Sequence, residues 1–181
     1  MLDYSSGEIT TEEARELIKA VAKELDTDVI KFYPGISYRH LTVWDHGSTN
    51  VDLTPPHDIS DRKIADYLPK GDGAEKLLEM MKKSEKILRE HPVNKKRAAA
   101  GKNMATSIWV WGEGTKPQID NFYEKYALKG SVISAVDLIK GIGILAKMDV
   151  IEVEGVVVGI CEVTTPQREC NVALTQLNRC V

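Results

Sequence analysis

Arg39, His40, His46, His57 and Asp58 lie within one short stretch, which holds three of the chain's four histidines. They belong to Tyr33-Pro-Gly-Ile-Ser-Tyr-Arg-His-Leu-Thr-Val-Trp44 and Thr54-Pro-Pro-His-Asp-Ile59. Guanidinium and imidazole groups crowded together make a poor core and a good anion grip. An arginine can meet a phosphate or carboxylate with two parallel hydrogen bonds, and no other side chain does this as well. If Arg39 and His40 share a strand they point to opposite faces, so a given ligand meets only one of them. A surface arginine paired with a nearby acid would account for Arg39 equally well. For His57-Asp58 the plain alternative is a loop histidine held by turn bonds, but the two prolines before it fix where its ring points.

Other groups carry weaker signals. Asn94-Lys-Lys-Arg97, followed by Gly101-Lys102, is a basic cluster after a helix break, suited to an anion or to a solvated charged face. Trp111-Gly-Glu-Gly114 reads as a tight turn near a ligand, yet it lacks the spacing of a dinucleotide fingerprint. Lys140 stands beside Gly141 in an apolar helix and could simply snorkel from that face. There is no Walker loop, nucleophile elbow, Cys-x-x-Cys or His-Glu-x-x-His, and no two-metal spacing of Asp and His. The three cysteines, Cys161, Cys170 and Cys180, fit no zinc template and give no reason to draw a disulfide.

The elements that must position these groups alternate in type. Thr10 or Thr11 can cap a helix whose first turn holds Glu12 and Glu13 and whose apolar face is Ala14, Leu17, Ile18, Val21, Ala22 and Leu25. Strands over Asp28–Tyr33 and Ser37–Trp44, joined at Pro34-Gly35, form an expected hairpin. His46–Ser60 reads as loop. A helix from about Gly73 to Glu90 presents Ala74, Leu77, Leu78, Met81, Ile87 and Leu88 to a core, and Pro92 breaks or kinks it. A helix over Asn94–Ala100 follows, then strand Ser107–Trp111, helix Gln118–Tyr126, strand Val132–Ala135, helix Asp137–Leu145 and strand Val150–Val153. This alternation predicts an α/β fold, a layered mixed β-sheet with flanking helices.

Length and composition bound the answer. The chain's 181 residues allow one ordinary domain, or one plus part of another, and a core without disulfides. A hydrophobic fraction of 43% and charged fraction of 28% are those of a globular protein. The net charge of −3 argues against non-specific nucleic-acid binding, which needs a basic surface. No apolar run reaches spanning length and no signal pattern opens the chain, so the expectation is a cytoplasmic protein with no membrane partner.

Five motifs, in order, resemble the archaeal-type cofactor-independent phosphoglycerate mutases. They are Leu2-Asp-Tyr-Ser-Ser-Gly-Glu-Ile-Thr-Thr-Glu-Glu-Ala14, Tyr33-Pro-Gly-Ile-Ser-Tyr-Arg-His-Leu41, Thr54-Pro-Pro-His-Asp-Ile59, Ile108-Trp-Val-Trp-Gly-Glu-Gly114, and Ala135-Val-Asp-Leu-Ile-Lys-Gly-Ile-Gly143 with Lys147-Met-Asp-Val-Ile151. The match runs from about Leu2 to Gly155. Bacterial relatives of this family include a branch proposed to act as homoserine kinases.

The resemblance implies a longer metalloenzyme of the alkaline-phosphatase superfamily, working through a phosphoserine and two divalent metal ions (Mn, Mg or Zn) whose ligands lie outside this chain. Residues 1–105 would be the inserted substrate-handling domain, and 106–155 a segment returning to the phosphatase-like core. The tail 156–181 departs from the family's pattern, and the expectation is a truncation or frame-shift product that packs poorly. Carried over by motif, Arg39, His40, His57, Asp58, Asn94, Arg97 and Lys140 are expected to contact a small phosphorylated acid. Three functions compete: mutase in glycolysis, homoserine kinase, or a non-catalytic binding module.

Overall fold

The computed structural model describes residues 1–153 and divides the chain into two compact units, Met1–Thr115 and Lys116–Val181. The expectation for the tail lies outside the described residues.

The first unit opens with helix α1, Thr11–Leu25. Thr10 caps it by accepting the Glu13 amide at 3.2 Å, which satisfies one of the donors that a helix start leaves free. Ala14, Leu17, Ile18, Val21 and Leu25 recur on one face and are buried, so periodicity alone places this face in the core. The face packs on strand β1, Ile30–Pro34, which pairs antiparallel with β2, His40–Trp44. The register sets Ile30 opposite Trp44, Phe32 opposite Thr42 and Pro34 opposite His40. Ile30 and Phe32 point inward, while Tyr33, Leu41 and Val43 are exposed on the other face.

β2 begins three residues later than expected. Ser37 adopts a positive φ of 51°, and the Arg39 amide bonds back to the Ile36 carbonyl at 3.0 Å, so this segment is a turn. Arg39 therefore projects from the turn and does not share a strand with His40. The expected loop after β2 contains β3, Val51–Asp52, paired antiparallel with β4, Lys70–Gly71. It also holds a 3₁₀ turn over Pro56–Ile59 whose buried Ile59 anchors it to the core side.

Helix α2, Ala74–Glu90, buries Leu77, Met80, Met81, Ser84 and Leu88. It stops where Pro92 removes an amide donor, and Pro92 then opens α3, Pro92–Ala99, with the His91 ring accepting the Val93 amide at 3.3 Å. The expected strand over Ser107–Trp111 is absent. Its neighbours' backbone groups bond to side chains: the Asn94 side chain accepts the Ala105 amide at 3.1 Å and donates to the Ala105 carbonyl at 2.8 Å, and Ser84 Oγ accepts the Ile108 amide at 3.0 Å. The extended sequence preference survives, but polar side chains from α2 and α3 take the place of a partner strand.

The second unit contains α4, Phe122–Tyr126, then β5, Ser131–Val132, α5, Asp137–Leu145, and β6, Asp149–Val150. β5 and β6 pair in parallel, with Val132 opposite Val150, and α5 makes the crossover between them. The α/β class is as expected. The sheet is divided among the described residues into three two-stranded pairs.

Candidate functional site

The first unit gathers an aromatic chain around two of the sequence candidates. Tyr38 packs edge-on against Tyr4 at 5.6 Å between ring centroids, Tyr4 meets the His57 ring at 6.2 Å, and His57 meets Trp111 at 5.3 Å. At the Tyr38 end, the Arg39 guanidinium carbon sits 4.2 Å from the ring centroid, within range of a cation–π contact. Arg39 is half-buried, and its Nη1 is fully shielded from solvent with no hydrogen-bond acceptor among the described residues. A buried guanidinium nitrogen without an acceptor costs free energy, and native structures show few such groups.

Tyr4 is held by an unusual loop. Ser6, Gly7 and Glu8 have successive positive φ values of 53°, 68° and 50°, a conformation that non-glycine residues seldom adopt. The Asp3 carboxylate fastens it, accepting the Ser5 amide at 2.8 Å, the Ser5 hydroxyl at 2.7 Å, the Gly7 amide, and the Asn103 side chain at 2.8 Å. Burial alone would raise the Asp3 carboxyl, but these donors outweigh it and bring it down to about 2.

His57 rides on the Pro56–Ile59 turn, half exposed, with Nε2 3.6 Å from the Asp58 carboxylate. That distance is too long for a hydrogen bond, and the ring packs edge-on against Tyr4 and Trp111. Trp109 donates from its indole to the Thr54 carbonyl at 2.8 Å, which ties the Pro-Pro-His segment to the segment leading to Trp111.

The other candidates have partners within the chain. His40 lies on the inner side of the hairpin, where its Nδ1 accepts the Gly35 amide at 3.2 Å. Burial lowers its pKa to about 4, so it is a neutral ring closing the turn that presents Arg39. Asn94 is buried, and its amide donates to the Leu88 and Ala105 carbonyls, both at 2.8 Å. Arg97 is buried beside it; Nε donates to the Asn103 carbonyl at 2.7 Å, Nη1 pairs with Glu13, and Nη2 bonds the Ser6 carbonyl. Lys140 belongs to the second unit and donates to both carboxylate oxygens of Glu152, at 2.9 and 2.7 Å. The exposed His46 pairs loosely with Asp45 at 3.7 Å.

A run of ring contacts through Tyr38 and Tyr4 thus leads from Arg39 to His57, with Asp58 beside it, while His40 and Arg97 are held by partners of their own. Residue chemistry alone did not single out Tyr4 and Tyr38, and Trp111 was read only as the start of a turn near a ligand. The available signal was their position beside Asp3, Arg39 and Gly112 in the same short motifs.

Comparison with known proteins gives the class. The family model described as 2,3-bisphosphoglycerate-independent phosphoglycerate mutase matches residues 1–94, and the chain belongs to that family. A probable 2,3-bisphosphoglycerate-independent phosphoglycerate mutase of Geobacter sulfurreducens is 52% identical over 155 residues, which is 86% of this chain and 39% of that protein. The corresponding Methanosarcina barkeri protein is 52% identical over 154 residues, 84% of this chain and 39% of its own length. Among solved structures, the cofactor-independent phosphoglycerate mutase of Thermoplasma acidophilum aligns with a TM-score of 0.55 at 26% identity, covering 85% of this chain and 44% of that one. The chain therefore spans about two-fifths of the length of the relatives it matches.

No three His, Cys, Asp or Glu side chains converge among the described residues in a way that could hold a metal ion. No helix among the described residues is long and apolar enough to cross a membrane.

Proposed function

We propose that this chain handles substrate for a 2,3-bisphosphoglycerate-independent phosphoglycerate mutase, the enzyme that interconverts 3-phosphoglycerate and 2-phosphoglycerate in the cytoplasm. Arg39 grips the phosphate or carboxylate of the substrate, and His57 donates a second hydrogen bond, with Asp58 beside it. The observation that carries this reading is the buried Arg39 Nη1, a strong donor with no acceptor in its own unit, linked through Tyr38 and Tyr4 to an accessible histidine. Arg39 as a whole is only half-buried, and the accessible part of its guanidinium meets a dianionic ligand through charge-assisted hydrogen bonds.

Under this reading His40, Asn94 and Arg97 hold the frame, since their polar atoms already have partners within the chain. The residues named bind and orient, and no bond-making step is assigned to them. Isothermal calorimetry with 3-phosphoglycerate tests the proposal. Arg39→Ala removes a charge-assisted hydrogen bond, and the expected loss of affinity is about 10-fold or more. Unchanged affinity would remove Arg39, and with it the proposed grip.

A further inference from the structure

Tyr38 touches the proposed anion grip through its ring, 4.2 Å from the Arg39 guanidinium carbon. Its ring is half-buried and packs against the hydrophobic core, and it also carries the guanidinium. Three independent features fix its place. Ser37, immediately before it, is locked at positive φ by two contacts to the start of α1: its amide donates to Thr11 Oγ1 at 3.1 Å and its hydroxyl donates to the Ile9 carbonyl at 2.7 Å. The turn bond from the Arg39 amide to the Ile36 carbonyl closes the other side. Tyr4 then abuts the ring edge-on from the strained loop.

A guanidinium on a long side chain samples many rotamers, and an anion must wait for the right one or lose affinity in freezing it. An aromatic face at cation–π distance removes part of that freedom before any ligand arrives. We propose that Tyr38 is a positioning residue, whose ring face holds the Arg39 guanidinium flat so that its fork is aimed before the anion binds, with Tyr4 bracing the ring. The inference rests on the anion grip proposed above.

The Tyr38 hydroxyl plays no part in it. Burial pushes the phenol upward; Arg39 opposes this and the Glu8 carboxylate reinforces it, so the ring stays neutral and its π-face available.

The test compares two rings of the same shape at position 38 in the intact chain. Tyr38→Phe keeps an electron-rich face, while pentafluorophenylalanine at the same position presents an electron-poor one. Two quantities are read: the rate of guanidinium rotation at Arg39 from its side-chain NMR resonances without ligand, and the affinity for inorganic phosphate and for 3-phosphoglycerate. Phe should match the parent chain in both. The fluorinated ring should speed the rotation and weaken anion binding by about 5- to 10-fold, as loss of a partly buried cation–π contact implies. Equal rotation and equal affinity for the two rings would overturn the positioning role. A purely structural ring would also treat the two alike. Failure of the underlying grip is seen separately, as undiminished 3-phosphoglycerate binding by Arg39→Ala.

Discussion

Arg97 and Arg39 are two guanidinium groups of one unit in opposite states, the first fully partnered and the second with an Nη1 that lacks an acceptor among the described residues. Arg97 spends all of its nitrogens on Glu13, the Ser6 carbonyl and the Asn103 carbonyl, and so pins the strained loop that carries Tyr4 to α1 and α3. Arg97→Ala leaves the Glu13 carboxylate and two carbonyls without their partner; the expected loss in urea denaturation is about 3–5 kcal/mol. A loss below about 1 kcal/mol would mean that the loop holds itself. His40 makes a pH-dependent contribution. Its folded pKa is lowered to about 4 by burial, against an ordinary value of 6.5, so the unfolded chain takes up the proton first as pH falls. The stability it confers is complete above pH 6.5 and lost progressively toward pH 4, by roughly 1–3 kcal/mol after allowing for partial exposure. His40→Gln should flatten that slope, whereas a parallel curve would show that the slope arises elsewhere. Asp3 acts lower on the scale, between its ordinary 3.8 and about 2, with the same sign.

Among the elements, α5 explains a pair of glycines that helix propensity disfavours. A methyl group at Gly143 would meet Val132 Cγ2 at 2.8 Å, so this glycine lets the helix lie close on β5. A methyl at Gly141 would meet nothing within 4 Å. Gly141→Ala should therefore stabilise α5 by about 0.5–1 kcal/mol, while Gly143→Ala destabilises it by about 1–3 kcal/mol. Hydrogen exchange of the α5 amides reads both, and equal effects would contradict the close packing. Helix ends were largely legible: Thr10 and Pro92 mark boundaries by chemistry that acts within a few residues. The segment 107–111 was not. Its β-branched and aromatic residues suggest a strand, and only the fold reveals that Asn94 and Ser84, far off in sequence, take its neighbouring backbone groups. Strand β2 failed at its start for a local reason, since the positive φ of Ser37 leaves no signature in a serine.

For the whole molecule, the candidate site was half legible. Residue type pointed to Arg39 and His57, and two tyrosine rings, Tyr38 and Tyr4, lie in series between them. Asn94 and Arg97 gave a weaker signal by residue type and joined the candidates through the resemblance; their burial depends on contacts between distant segments and could not be read from the sequence. Tyr4 and Tyr38 escaped notice because aromatic residues usually fill cores, and Trp111 was read only as the start of a turn near a ligand; here the three rings pack beside Arg39 and His57. The proposed anion grip belongs wholly to the first unit. Backbone and side-chain NMR of the chain titrated with 3-phosphoglycerate reads this most directly. The account predicts saturable shifts at Tyr4, Tyr38, the Arg39 guanidinium, His57 and the Trp111 indole. Shifts centred on Lys96–Lys102 or Lys140, with Arg39 unmoved, would contradict it.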